Sequence, residues 1–207
     1  MLKREHIRSL LGKYIEIPGA RLLAKIGLKP NWITVIGFSI CVASALLVGR
    51  GHLLYGGLLF LFGAGLDLFD GALARLTNTE SPFGALLDSV LDRLGEASLL
   101  LGIAAYILLS DFSKEKTFIY VIALILSLIL SQSVSYLRAR GEGLNAYTRT
   151  GLMTRTERVV ILGFGLIIDH FVSVDFMLWV LLLISIISFF TLFQRIFAIR
   201  GILLGRD

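Results

Sequence analysis

Apolar residues gather along this chain in six long blocks, at roughly residues 32–50, 53–75, 83–110, 117–138, 156–172 and 174–198, with short polar interruptions between them. Blocks of about 20 residues match the length a helix needs to cross about 30 Å of hydrocarbon. The pattern predicts six transmembrane helices. A different pattern precedes them: Ile7, Leu10, Leu11, Tyr14 and Ile15 recur at helical spacing among Lys3, Arg4, Arg8 and Lys13, and Ala20, Leu22, Leu23 and Ile26 continue the stripe. Residues 1–30 are therefore expected to form an interfacial amphipathic helix whose basic residues face lipid headgroups. Residues 31–200 would be the six-helix membrane domain and 201–207 a cytoplasmic tail, so the expected fold is an all-α integral membrane protein.

Composition supports the bilayer as solvent: 56% of the 207 residues are hydrophobic and the mean hydropathy is +0.83, leaving little chain for a separate soluble domain. The net charge of +5 reads as topology rather than nucleic-acid binding, because cytoplasmic loops of membrane proteins carry the excess of Lys and Arg. Seven basic residues lie before residue 30. Arg138, Arg140, Arg149, Arg155 and Arg158 lie around the fourth connection, and Arg195, Arg200 and Arg206 near the C-terminus. The opposite side has only Arg50, Lys114 and Lys116. Both termini are therefore expected in the cytoplasm, with Asp111, Asp169 and Asp175 outside, in a multi-pass protein of the plasma membrane. Cys41 is the sole cysteine, which excludes an internal disulfide. The N-terminus lacks the uninterrupted apolar stretch of a cleaved signal peptide. His6, His52 and His170 show no metal-ligand spacing.

The second and third blocks contain LDLFDGALARLTNTESPFGALLDSVLDRLGE. An Asp at the centre of a spanning helix costs about 2.5–3.5 kcal/mol, so four would cost about 10–14 kcal/mol without partners. Asp67 and Asp70 are spaced i, i+3 and Asp88 and Asp92 i, i+4, which puts each pair on one helical face. The short turn from Thr77 to Pro82 should make the two helices antiparallel neighbours, and four carboxylates could then converge on hard divalent cations. Gly71 and Ala74 keep that face small, and Arg75 offers a planar cation for phosphate. An ion pathway is the usual alternative meaning of buried membrane carboxylates. The spacing speaks against it: DxxDGxxAR, eight residues, then GxxxDxxxD fixes eight positions, a chance match on the order of 10⁻¹⁰ per starting site.

At these residues the sequence resembles the CDP-alcohol phosphotransferase family, whose signature it matches without departure. The resemblance implies a CDP-linked lipid donor and divalent metal, Mg²⁺ or Mn²⁺, in two ions. Asp67, Asp70 and Asp88 would bind the first, Asp70, Asp88 and Asp92 would surround the second, and Asp92 would be the general base. Gly71, Arg75 and Ser81 would contact the donor. The stretch KPNWIT is similar to the family's PNxxT entry to its first helix, which adds Asn31 and Thr34; helix capping is the structural alternative for those two. The family also implies a homodimer, and Gly102 and Ala105 would permit close helix contact.

Beyond the carboxylates, SQSVSYLRARGEG, GLMTRTERVV and Arg195 bring several guanidinium groups towards one end of the bundle, which suits a phosphorylated polyol acceptor. The pattern SYxRAR, RxER, QR is similar to the phosphatidylinositol phosphate and archaetidylinositol phosphate synthase branch. That resemblance implies that Ser135, Arg138, Arg155 and Arg195 hold the phosphate of inositol 1-phosphate, with CMP released. Glycerol 3-phosphate is the alternative acceptor, and an Asp-lined transporter the alternative of another class. Glu96 extends the Asp88 and Asp92 face by one turn, and Arg158 is expected to pair with Glu157 or Glu142.

Overall fold

The computed structural model describes residues 16–148, 150–172 and 175–205. These form α1 (Ile17–Lys25), α2 (Pro30–Gly49), α3 (Leu53–Gly65), α4 (Asp67–Thr77), α5 (Pro82–Leu109), α6 (Lys114–Gly143), α7 (Arg155–Phe171) and α8 (Phe176–Leu203), with no strand among the described residues. The all-α expectation holds. Of the interfacial segment, residues 1–15, including the stripe from Ile7 to Ile15 and its basic neighbours, lie outside the described residues, as do Arg149 and Arg206. The described part of that segment is α1 and its flanks: α1 buries Ala20 against Ala72 and Leu73 and leaves Leu22 exposed, as is Ile26 just beyond its end. Gly19 permits the approach, since a Cβ there would stand 2.2 Å from the Phe69 ring.

Four helical stretches are long and apolar enough to cross a membrane: Pro30–Gly49, Leu53–Thr77, Lys114–Gly143 and Phe176–Leu203. The other two expected spans fall short for different reasons. α5 has 28 residues but carries Asp88, Asp92, Arg93 and Glu96 between its seventh and fifteenth positions. α7 has 17 residues, about 26 Å at 1.5 Å per residue.

The helices also end where block boundaries did not. α6 continues to Gly143, past the expected 138, so Arg138, Arg140 and Glu142 ride on a helix rather than a connection. α8 runs to Leu203, which makes the first residues of the expected tail helical. The second block divides at Leu66, which keeps helical dihedrals (φ −63°, ψ −27°) while its N–H is shared between Phe62 O and Gly63 O, both at 3.2 Å. α4 follows from Asp67 and carries Asp67 and Asp70 in its first turn. α4 ends on Asn78 in the left-handed conformation at φ 53°. Ser81 then caps α5, its Oγ accepting from Gly84 N at 3.0 Å, with Pro82 in the first turn.

The short turn does not make α4 and α5 packed neighbours. α5 instead lies along α2, while α3 packs against α2 and α7, and α6 against α8. Small residues allow these approaches. A Cβ on Gly102 would stand 2.4 Å from Ala45 O, and Ala105 Cβ lies 3.3 Å from where a Gly49 Cβ would be. Gly102 and Ala105 are thus engaged within the chain, closing α2 onto α5. Gly102→Val is expected to destabilise the protein by about 1–3 kcal/mol through overpacking, read as a lower melting temperature in detergent. Cys41 is buried in the main apolar core with Val48, Phe60, Leu99 and Leu162, as a small core residue should be.

Candidate active site

The connection capped by Ser81 brings carboxylates from α4 and α5 to one point. Ligand oxygens of Asp67, Asp70 and Asp88 all lie within 4.8 Å of one another. Asp70, 6% exposed, accepts from Thr34 Oγ1 at 2.6 Å. Asp88 Oδ1 is buried with no partner. Hard oxygen donors with an unspent acceptor among them fit a divalent cation. Asp92 is not one of this trio, and it is tied to it through Arg155: its Oδ2 lies 2.6 Å from Arg155 Nη1, which also reaches Asp67 Oδ2 at 3.2 Å. One guanidinium group thus bridges the two outer carboxylates.

A cavity of about 150 Å³ opens on one side of the carboxylates. Asn31, Thr34, Gly71, Arg75 and Ser81, the five residues expected to meet the donor, all line it together with Asp70 and Asp88. Gly71 keeps its wall open, because a Cβ there would meet only Arg75 Nη1, at 3.5 Å. Capping does not explain Asn31 or Thr34. α2 starts at Pro30 after Lys29 without a side-chain cap, and the Thr34 hydroxyl turns to Asp70.

A second, larger cavity of about 430 Å³ lies on the other side, lined by Asp88, Asp92 and the four residues expected to hold an acceptor phosphate, Ser135, Arg138, Arg155 and Arg195. α6, α7 and α8 supply them. Arg195 is 4% exposed and donates Nη1 to Val134 O at 2.7 Å and Nε to Thr150 O at 3.1 Å. It fastens the connection before α7 to α6, and Gly151 at φ +138° lets that connection lie against it. Thr154 and Glu157 form a capping box that starts α7 at Arg155.

The expected partner of Arg158 is corrected here. Glu142 pairs with Arg138 at 3.0 Å, and Glu157 serves the capping box. Arg158 reaches across to Glu96, Nε to Oε1 at 2.6 Å and Nη2 to Oε2 at 2.9 Å. Arg158 and Arg93 also line the larger cavity. Neither was expected there, although Arg158 shares a helical face with Arg155 at i, i+3, and Glu96 extends the Asp88 and Asp92 face.

Comparison with known proteins places the chain in a family. Residues 28–192 match the family described as CDP-alcohol phosphatidyltransferase. The chain is 36% identical to the archaetidylinositol phosphate synthase of Pyrococcus horikoshii over 179 residues, covering 86% of each chain. It is 33% identical to the phosphatidylinositol phosphate synthase of Mycobacteroides abscessus over 188 residues, 88% of this chain and 82% of that one. Two crystal structures of Mycobacterium tuberculosis phosphatidylinositol phosphate synthase superpose with a TM-score of 0.80. The one with CDP-DAG bound is 31% identical, covering 89% of this chain and 93% of that one. The one in complex with manganese and citrate is 30% identical, covering 90% and 89%.

Proposed function

Because the chain belongs to the CDP-alcohol phosphatidyltransferase family, we propose that it transfers the phosphatidyl or archaetidyl group of a CDP-linked lipid to inositol 1-phosphate, releasing CMP. The observation that carries this reading is the shared wall of the two cavities: Asp88 lines both, between the side with Asn31, Gly71 and Arg75 and the side with the arginines. A nucleotide-linked lipid and a phosphorylated acceptor can then meet at one carboxylate cluster. The inositol phosphate synthases among its relatives favour inositol phosphate over glycerol 3-phosphate as acceptor.

Asp67, Asp70 and Asp88 would hold a first divalent ion, and Asp70, Asp88 and Asp92 a second, Mg²⁺ or Mn²⁺, which when bound neutralise charge on the donor's diphosphate. Thr34 orients Asp70. Asn31, Gly71, Arg75 and Ser81 seat the nucleotide and diphosphate, with Gly71 admitting the donor close to backbone. Ser135, Arg138, Arg155 and Arg195 hold the acceptor's phosphate, which brings its hydroxyl towards Asp92. Asp92 takes the hydroxyl proton as the oxygen attacks the lipid-side phosphorus, and the bond from that phosphorus to the CMP oxygen breaks.

The same proposal includes six membrane crossings, with α3 and α4 counted as one and α5 and α7 carried across beside their apolar neighbours. Both termini and both cavities face the cytoplasm, as the bias of Lys and Arg to that side supports. Purified protein given CDP-diacylglycerol, Mg²⁺ and labelled inositol 1-phosphate is expected to form labelled lipid and CMP, and to stop when the metal is chelated. Turnover with glycerol 3-phosphate but not inositol phosphate would reassign the acceptor, and no turnover with any polyol would remove the enzyme reading.

A further inference from the structure

Beneath the larger cavity, Glu96 and Arg158 are each only 1% exposed. A buried ion pair of this kind is costly to desolvate and is no stronger than apolar packing of the same volume. Its guanidinium group is also not saturated by the chain. Nε and Nη2 serve Glu96, Nη2 donates further to Ser135 Oγ at 3.3 Å, and Nη1 is buried with no partner. A device meant only to join α5 to α7 would have no need to extend to α6 and to the wall of a cavity.

We infer that Arg158, locked by Glu96, is a positioning residue for the acceptor: by donating to the Ser135 oxygen it turns the Ser135 hydroxyl proton outward, as a donor to the acceptor's phosphate. The inference rests on the proposed function, since it assigns that site a residue the function had not used. A hydroxyl has one proton and can present either that proton or a lone pair to a ligand. With an Arg N–H directed at its oxygen, the lone pair facing α7 is engaged, and the proton is left to face the cavity that Ser135 and Arg158 both line. Glu96 is essential to this arrangement because its two oxygens fix the guanidinium plane, which a single-point contact would leave free to rotate.

The test is a double-mutant comparison on acceptor KM, with direct binding of inorganic phosphate by calorimetry as the second readout. Glu96→Met with Arg158→Met removes the pair without stranding a charge. It is expected to raise the KM for inositol 1-phosphate about tenfold, with the KM for CDP-lipid unchanged. Ser135→Ala should do about the same, and the combination should do no more, because the residues act through one hydrogen bond. A wild-type acceptor KM in the paired variant, or effects that multiply with Ser135→Ala, would overturn the inference. Should the paired variant fail to fold, Arg158→Lys decides. It keeps the charge opposite Glu96, but its ammonium is a single point that does not reproduce the planar fork spanning both Glu96 oxygens and Ser135 Oγ, so it should show the same rise, and an unchanged KM refutes the inference. Wild-type protein that makes no lipid from inositol phosphate would instead refute the proposed acceptor. The phosphate-binding comparison across the same variants would still judge the role of Arg158.

Discussion

Asp92→Asn is expected to lower turnover by about 10³-fold, within the 10²–10⁴ that a positioned general base contributes. The substitution keeps the size of the side chain and one of its oxygens, so the fold should be little disturbed, but an amide cannot take the acceptor's proton. Asp92 lines the larger cavity with the arginines and does not line the one with Asn31, Gly71 and Arg75. Donor binding should therefore survive in part, reduced by whatever the ion that Asp92 helps to hold contributes to the diphosphate. Measured together, the variant should keep part of its affinity for CDP-diacylglycerol while CMP release collapses. An Asp92→Asn protein with more than about a tenth of wild-type turnover could not have lost its base, and another group would have to be sought.

Arg155→Ala should act in two directions at once. Arg155 is the acceptor-side cation nearest the carboxylates, and losing one charge-assisted contact to a phosphate costs about 1.5–3 kcal/mol, or about 10- to 100-fold in the KM for inositol 1-phosphate. Its Nη1 also lies 2.6 Å from Asp92 and 3.2 Å from Asp67, where a positive side chain competes with any cation those carboxylates would hold. Truncation frees both oxygens. Mn²⁺ binding followed by electron paramagnetic resonance is thus expected to tighten in Arg155→Ala even as use of the acceptor falls. Full inositol phosphate activity in this variant would show that the arginines do not form the acceptor pocket, and weaker Mn²⁺ binding would show that Arg155 supports the metal rather than competing with it.

What was legible in the sequence was what spacing alone determines. The i, i+3 and i, i+4 intervals put Asp67, Asp70, Asp88 and Asp92 on common faces, and the apolar blocks located the helices to within a few residues at most of their ends. Periodicity says which residues share a face but not which face meets which. That is why Arg158 was assigned to acids on its own or the preceding helix, when the partner is Glu96 on α5, and why α4 and α5 were read as packed neighbours when α2 takes the length of α5. The shared hydrogen bonding at Leu66 had only Gly63 and Gly65 as a signal, and an apolar run conceals so local a change. The continuation of α6 through Gly143 was hidden for the opposite reason: a helix that leaves the apolar zone turns polar while its backbone hydrogen bonding continues.

The wall that the two cavities share bears on how the reaction must be ordered. With Asp88 facing both rooms, donor and acceptor can be seated at the same time, and on the proposed roles the phosphorus passes directly from one oxygen to the other. The chain then never carries the lipid covalently. Configuration at phosphorus inverts in one displacement, and CMP departs only from a complex that has held three partners: protein, nucleotide lipid and sugar phosphate.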